Sequence, residues 1–300
     1  MSSPPSPYEH PGSPPVRPEL PEGVDRTPAV RGAPARPPWP AWAPFAALLT
    51  GLIVALVGQT IVLVFASAFG WSGDHQTPAM TIIGTVIQDA GFIGGAVAMA
   101  WVTAGRPTPA QFGLRPANLV QAIGGVVGAY VTFQVVALLW ALVVDTSQKQ
   151  DILDQLGANR SDAYLAASAI VVCVLAPIAE EILFRGFFFT ALRNAMPTLL
   201  AAISTGVLFG LVHVIGTPFP LIVPLAVLGI VLCLLYLYTG SLLPCMALHS
   251  LNNAIAFGVS LKWPLAATLA LVIAAPTLVV SIGLLAARSK RLALPAPATA

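Results

Sequence analysis

Four polar side chains in the second half of the chain could together hydrolyse an amide bond. Glu180 is a candidate general base, His213 a candidate proton carrier, and His249 with Asn253 are candidate donors to an oxyanion. His249 and Asn253 are four residues apart, which places them on one face of a helix. A carboxylate, two imidazoles and an amide are the groups that water-activated peptide hydrolysis requires.

A second carboxylate, Glu181, directly follows the first, but its spacing predicts a different role. Arg185 lies four residues after Glu181, in the order that favours an ion pair on one helix face. Glu180 points about 100° away from Glu181 and has no cation at that spacing. We therefore expect Glu181 and Arg185 to form a structural ion pair and Glu180 to be free for chemistry. The alternative, in which both carboxylates and Arg185 form one structural cluster, stays open.

These residues stand out because the rest of the chain is apolar. The 300 residues have a mean hydropathy of +0.83 and only 9% are charged, against about 25% in soluble domains. This composition excludes a water-soluble globule, and a net charge of +2 gives no support for a nucleic-acid partner. The three cysteines lie in apolar runs without metal-ligand spacing, which favours packing roles over disulfides or a thiolate site.

Apolar runs of about 20 residues predict an all-α polytopic membrane protein, since lipid offers no partner to an open strand edge. We expect about eight transmembrane helices, at residues 42–69, 79–104, 119–144, 163–190, 198–216, 219–238, 241–260 and 264–287. Residues 1–40 are rich in proline and lack an apolar period, so we expect a disordered tail rather than a signal peptide.

The distribution of lysine and arginine predicts the orientation of these helices. With eight spans, one side carries ten basic residues: Arg17, Arg26, Arg31, Arg36, Arg106, Arg115, Arg193, Arg288, Lys290 and Arg291. The opposite side carries Lys149, Arg160 and Lys262. Both termini are therefore predicted to be cytoplasmic.

Few ionisable residues remain at bilayer depth, where each is a functional candidate because its burial in lipid is costly. They are Asp89, Glu180, Glu181, Arg185, His213 and His249. Counted from the turn that joins spans 4 and 5, Glu180 and His213 lie about 21 and 22 Å deep. The two side chains are therefore expected at one level. Asp89, in span 2, is expected to be a buried carboxylate with its hydrogen bonds satisfied.

Three motifs in this region resemble those of the CPBP intramembrane proteases, the CAAX-processing and Abi group. The motifs are Glu180-Glu181-xxx-Arg185-Gly186, Phe209-xxx-His213 and His249-xxx-Asn253. The resemblance covers about residues 160–260. It divides the chain into a tail at 1–40, helices 1–3 at 41–160, a protease core at 161–260, and a last helix with a short cytoplasmic tail at 261–300.

The resemblance implies an eight-helix endopeptidase that cleaves a membrane-associated or lipidated protein or peptide. Glu180 and His213 would activate the water, and His249 and Asn253 would stabilise the oxyanion. We favour a glutamate-type enzyme without a metal, although the family is also described as metalloendopeptidases. If zinc is bound, its ligands would be Glu180, His213 and His249. The alanine- and proline-rich composition resembles that of a high-GC bacterium, so we expect a multi-pass protein of the bacterial plasma membrane.

Two alternatives of other classes remain. A transporter or proton relay could use the same buried glutamate and histidines, and Asp89 mildly favours this reading, although the two halves show no inverted repeat. A non-catalytic immunity or scaffold protein would need none of the motifs to be intact.

Overall fold

The computed structural model describes residues 36–71, 76–146 and 152–288, and within these ranges the chain is helical and has no strands. The elements are α1 (Ala43–Ala68), α2 (Pro78–Ala104), α3 (Leu119–Ala141), the short α4 (Ile152–Gln155), α5 (Asp162–Leu192), α6 (Thr198–Leu211), α7 (Phe219–Thr239), α8 (Leu242–Ser260) and α9 (Leu265–Arg288). The predicted all-α membrane architecture is confirmed. The side of the membrane that the termini face stays a prediction.

Seven of these helices are long and apolar enough to cross a bilayer, and α6 is the exception among the eight predicted spans. Its 14 residues give about 21 Å of helix, whereas the hydrocarbon core is about 30 Å thick. The predicted span 198–216 is therefore too long, because the helix ends at Leu211. Gly216 has φ +104°, and Pro218 disfavours helix for the residue before it, so the segment after Leu211 turns instead of continuing the helix.

The end of the predicted tail is ordered. Residues 1–35 lie outside the described residues, but 36–40 pack against the helices. Trp39 is only 1% exposed, and its ring centroid lies 4.9 Å from that of Phe187 in α5. Asn194, after α5, donates from Nδ2 to two carbonyl oxygens of this segment at 2.8 and 3.1 Å. Residues 36–40, which the sequence places in the tail, therefore pack as part of the described fold.

Helix α5 lies at the centre of the fold and packs against α1, α2, α6, α7, α8 and α9. The other helices form three tight pairs around it, α1 with α2, α6 with α7, and α8 with α9, while α3 packs on α7 and α8. The C-terminal half of α5 is accordingly buried on all sides, including the aromatic run at 187–189. This helix carries both candidate carboxylates.

Two stretches of π-helix interrupt α5, at Val171–Leu175 and Ile182–Phe189. The residues between them, Ala176–Glu181, are α-helical. Glu180 and Glu181 stand at the end of this α-helical stretch. Departures of this kind occur preferentially at functional sites, because they rotate the side chains that follow relative to a regular helix.

Candidate active site

The structure brings together Glu180 from α5, His213 from the turn that follows α6, and His249 from α8. Glu180 on α5 is 9% exposed. Its Oε1 lies 3.8 Å from His213 Nε2 and its Oε2 lies 3.7 Å from His249 Nε2. These distances exceed direct hydrogen bonds and correspond to groups that can share one bridging molecule. The common depth expected for Glu180 and His213 is observed.

Glu181 forms the expected ion pair and also holds His249. Its Oε1 accepts hydrogen bonds from Arg185 Nη1 at 2.7 Å and from His249 Nδ1 at 2.8 Å, and both members of the ion pair are fully buried. Arg185 also donates from Nη2 to the carbonyl of Gly229 at 3.2 Å, and its guanidinium lies 4.5 Å from the ring centroid of Phe209. Glu181 therefore connects the structural pair to the candidate site.

Each histidine is oriented through its Nδ1 atom. His213 Nδ1 lies 2.7 Å from the carbonyl oxygen of Phe209, one of the carbonyls that the end of α6 leaves without a helical partner. A carbonyl oxygen only accepts hydrogen bonds, so Nδ1 carries the proton there, and a neutral His213 presents an unprotonated Nε2 to Glu180. His249 Nδ1 donates to the Glu181 carboxylate in the same way. Hydrogen-bond partners thus assign both tautomers.

Pro177 explains how α8 docks on α5. Proline has no N–H, so the carbonyls of Val172 and Cys173, five and four residues earlier, lose a possible helical donor. Side chains of α8 donate to both carbonyls: Asn253 Nδ2 to Val172 at 2.9 Å, and Ser250 Oγ to Cys173 at 2.6 Å. The predicted oxyanion donor Asn253 therefore uses one of its two N–H groups in helix docking and keeps the other.

Glycines let α6 and α7 approach closely beside the site. A Cβ on Gly229 would lie 2.7 Å from Cα of Gly206 and 3.0 Å from its carbonyl oxygen. Small residues at such crossings allow backbone-to-backbone contact in membranes. The contact fixes the position of the Gly229 carbonyl that Arg185 binds.

Asp89 differs from its expectation. It is buried in α2, with 5% exposure, and its Oδ2 has no hydrogen-bond partner among the described residues. The prediction of a satisfied buried carboxylate is wrong at this oxygen.

Residues 162–255 match the family model described as Rce1-like, type II CAAX prenyl endopeptidase Rce1-like. The predicted resemblance is confirmed over this segment. No curated protein and no solved structure shows a match to the chain. The matched segment is therefore similar to a CAAX prenyl endopeptidase. The matched residues contain Glu180, Glu181, Arg185, His213, His249 and Asn253.

The zinc alternative would use Glu180, His213 and His249 as its ligands. Among the described residues, no three His, Cys, Asp or Glu side chains are arranged to hold a metal ion. His213 and His249 approach opposite oxygens of Glu180. The three cysteines are free and buried, as their sequence context predicts.

Two features of the candidate active site were not predicted from the sequence. The contact of Glu181 with His249 joins residues 68 positions apart, and no local spacing indicates it. The docking of Ser250 and Asn253 on α5 had one signal, the proline three residues before Glu180, because a proline inside a membrane helix frees backbone carbonyls for other donors.

Proposed function

We propose that the chain hydrolyses a peptide bond of a membrane-associated or lipidated protein or peptide, using water activated by Glu180 and His213. The observation that carries this proposal is the position of Glu180, whose two oxygens face one imidazole Nε2 each at 3.8 and 3.7 Å. The hydrogen bond of Glu181 to Arg185 leaves Glu180 without a neutralising cation on its own helix.

In this mechanism Glu180 acts as the general base. A water between Glu180 and His213 donates one proton to the carboxylate as its oxygen attacks the carbonyl carbon of the substrate. His213, held by the Phe209 carbonyl with Nε2 unprotonated, accepts the second hydrogen bond of this water and orients it. When the carbon–nitrogen bond breaks, the proton held by Glu180 passes to the leaving amine.

His249 and Asn253 would stabilise the oxyanion of the tetrahedral intermediate. Asn253 has one N–H left for this role after its hydrogen bond to Val172. Because His249 directs its Nδ1–H at Glu181, its Nε2 donates to an oxyanion only as imidazolium, so that Arg185 and His249 together carry two positive charges against the two carboxylates Glu180 and Glu181. Fixing the ring in advance avoids reorganisation during the reaction, which is the source of oxyanion-hole catalysis.

The proposed reaction is of the glutamate type, and no step uses a metal ion. The position of the site within the bundle supports this substrate class, because a peptide bond must reach bilayer depth to meet Glu180. A substrate anchored in the membrane or carrying a lipid meets this condition. We do not propose a transporter, since the family match indicates a protease.

The experiment uses the full chain in proteoliposomes with an internally quenched peptide that ends in a prenylated cysteine motif, and the same peptide without lipid. Wild type should cleave the lipidated peptide, whereas Glu180→Gln should insert and fold normally but show no turnover. Asp154→Asn makes the same chemical change on an exposed residue of α4 and should retain activity. Peptidomics of cells with wild type and with Glu180→Gln would then identify the natural products. Turnover by purified Glu180→Gln refutes the proposal.

A further inference from the structure

Asp89 is a buried carboxyl group that the proposed mechanism does not use. It lies on the face of α2 that packs into the bundle, together with Phe92 and Ala96, three and seven residues later. Its side chain is 5% exposed and Oδ2 has no hydrogen-bond partner in the described part of the chain. A buried polar atom without a partner is uncommon in native proteins and calls for an explanation.

The stretch of α5 that carries Glu180 is one of those against which α2 packs. Helix α2 packs against Ala176–Glu181, and Asp89 lies within electrostatic range of Glu180. Depth agrees with this contact: Asp89 lies about 22 Å from the end of α2 at Ala104, and Glu180 about 18 Å from the end of α5 at Leu192. Because α3 and α5 each cross the bilayer once between them, these two helix ends lie on the same side of the membrane.

Among the described residues around the site, no cation is left to pair with Asp89. The Arg185 guanidinium is paired with Glu181, His249 donates to Glu181, and the Nε2 atoms of His213 and His249 face Glu180. An ionised Asp89 would therefore be an uncompensated charge at bilayer depth beside a second carboxylate. Two neighbouring carboxyl groups are more stable when they share one proton, so that only one of them is charged. A neutral carboxylic acid can donate a hydrogen bond as well as accept one.

We propose that Asp89 is a positioning residue of the same site, whose neutral carboxyl group donates a hydrogen bond to Glu180, directly or through one water. The hydrogen bond holds Glu180 in the orientation in which its two oxygens face His213 and His249. The inference rests on the proposed function for its effect on turnover, but the contact between Asp89 and Glu180 can be tested without substrate.

Two substitutions separate the hydrogen bond from the charge. Asp89→Asn keeps a donor of nearly the same shape and should retain kcat within a few-fold. Asp89→Leu removes the donor, and the resulting misplacement of Glu180 should lower kcat by about 10²-fold with little change in KM. Asp89→Ala replaces the leucine variant if that protein does not fold. An equal loss in the asparagine and leucine variants, or a leucine variant as active as wild type, overturns the proposal.

Thermal unfolding without substrate tests the contact itself. The effects of Asp89→Leu and Glu180→Leu on Tm should be non-additive in the double variant, because each removes one partner of the same hydrogen bond. Thr60→Val, on an exposed position of α1, should combine additively with Glu180→Leu. Additive effects of the Asp89 and Glu180 changes refute the contact. If Glu180→Gln stays active while the cycle is non-additive, the proposed mechanism fails and the contact stands.

Discussion

The replacement of Glu181 by glutamine separates the two adjacent carboxylates most sharply. Glu181 Oε1 accepts one hydrogen bond from Arg185 and one from His249, and Glu181 and Arg185 are both 0% exposed. Without the carboxylate, the fully buried Arg185 charge keeps the Gly229 carbonyl and the Phe184 and Phe209 rings as neighbours but loses the carboxylate with which it is paired among the described residues. Breaking a buried ion pair by removing one partner costs about 3–5 kcal/mol, so Glu181→Gln should be destabilised by an amount in that range.

Equilibrium unfolding in mixed detergent micelles measures this loss, with Glu180→Gln as the matched control. Glu180 has no hydrogen-bonded cation, so its glutamine variant should remain within about 1 kcal/mol of wild type, the range of most changes that break no network. Activity should also fall in Glu181→Gln, because His249 loses the charged acceptor that orients its ring, and the amide that replaces it also carries N–H donors. Glu181→Gln should therefore lose both stability and activity, whereas Glu180→Gln should lose activity alone.

A double variant distinguishes the charge from the shape of the pair. Glu181→Gln combined with Arg185→Met removes both charges, and replacing both members of a buried pair is often neutral or stabilising. It should recover most of the lost stability and none of the lost activity, since His249 stays without its carboxylate. If Glu181→Gln is as stable as wild type and inactive, the roles assigned to Glu180 and Glu181 are reversed.

Three further predictions test the topology, the metal and the helix packing. A reporter that works only in the cytoplasm should give signal when fused to either terminus, and signal at one end alone would contradict the positive-inside assignment. Purified active protein should contain far less than one zinc per chain and survive a strong chelator; stoichiometric zinc that is lost with activity and restores it on re-addition would overturn the role of Glu180 as base. Gly229→Ala places a Cβ 2.7 Å from the backbone of α6 and should cost about 1–3 kcal/mol of stability. The control Gly124→Ala meets no atom within 4 Å and should be neutral in the same unfolding assay.

Hydropathy predicted the membrane helices because each helix must present an apolar surface that is as long as the hydrocarbon core is thick. The apolar composition of each run therefore indicates the helix directly. Hydropathy failed at α6, which ends at Leu211 five residues before the predicted end. A window average does not register that Gly216 adopts a left-handed backbone or that Pro218 disfavours the helix before it. Residues 36–40, expected in the tail, are also part of the described fold, because the Trp39 ring packs against the buried ring of Phe187.

The candidate site was predictable where spacing on one helix or depth in the membrane was sufficient. The Glu181–Arg185 pair follows from four-residue spacing, and the level of Glu180 and His213 follows from counting residues from a shared turn. The second partner of Glu181 did not follow, because His249 reaches it from a helix whose rotation about its own axis depends on tertiary contacts. The π-helical stretches of α5 could not be predicted either, since i→i+5 hydrogen bonding does not change the hydropathy of the sequence.

Asn253 illustrates why loss of activity alone does not prove an oxyanion role. Its Nδ2 donates to the Val172 carbonyl that Pro177 leaves without a helical donor. Asn253→Ala should therefore cost about 1–3 kcal/mol of stability for the unsatisfied carbonyl, and also about 10²–10³ in kcat if the remaining N–H binds the oxyanion. Adding Pro177→Ala returns an N–H beside that carbonyl, so the double variant should regain stability in the unfolding assay. Its kcat should stay low, because the oxyanion donor is still absent. Recovery of kcat together with stability would show that Asn253 serves only to dock α8 on α5.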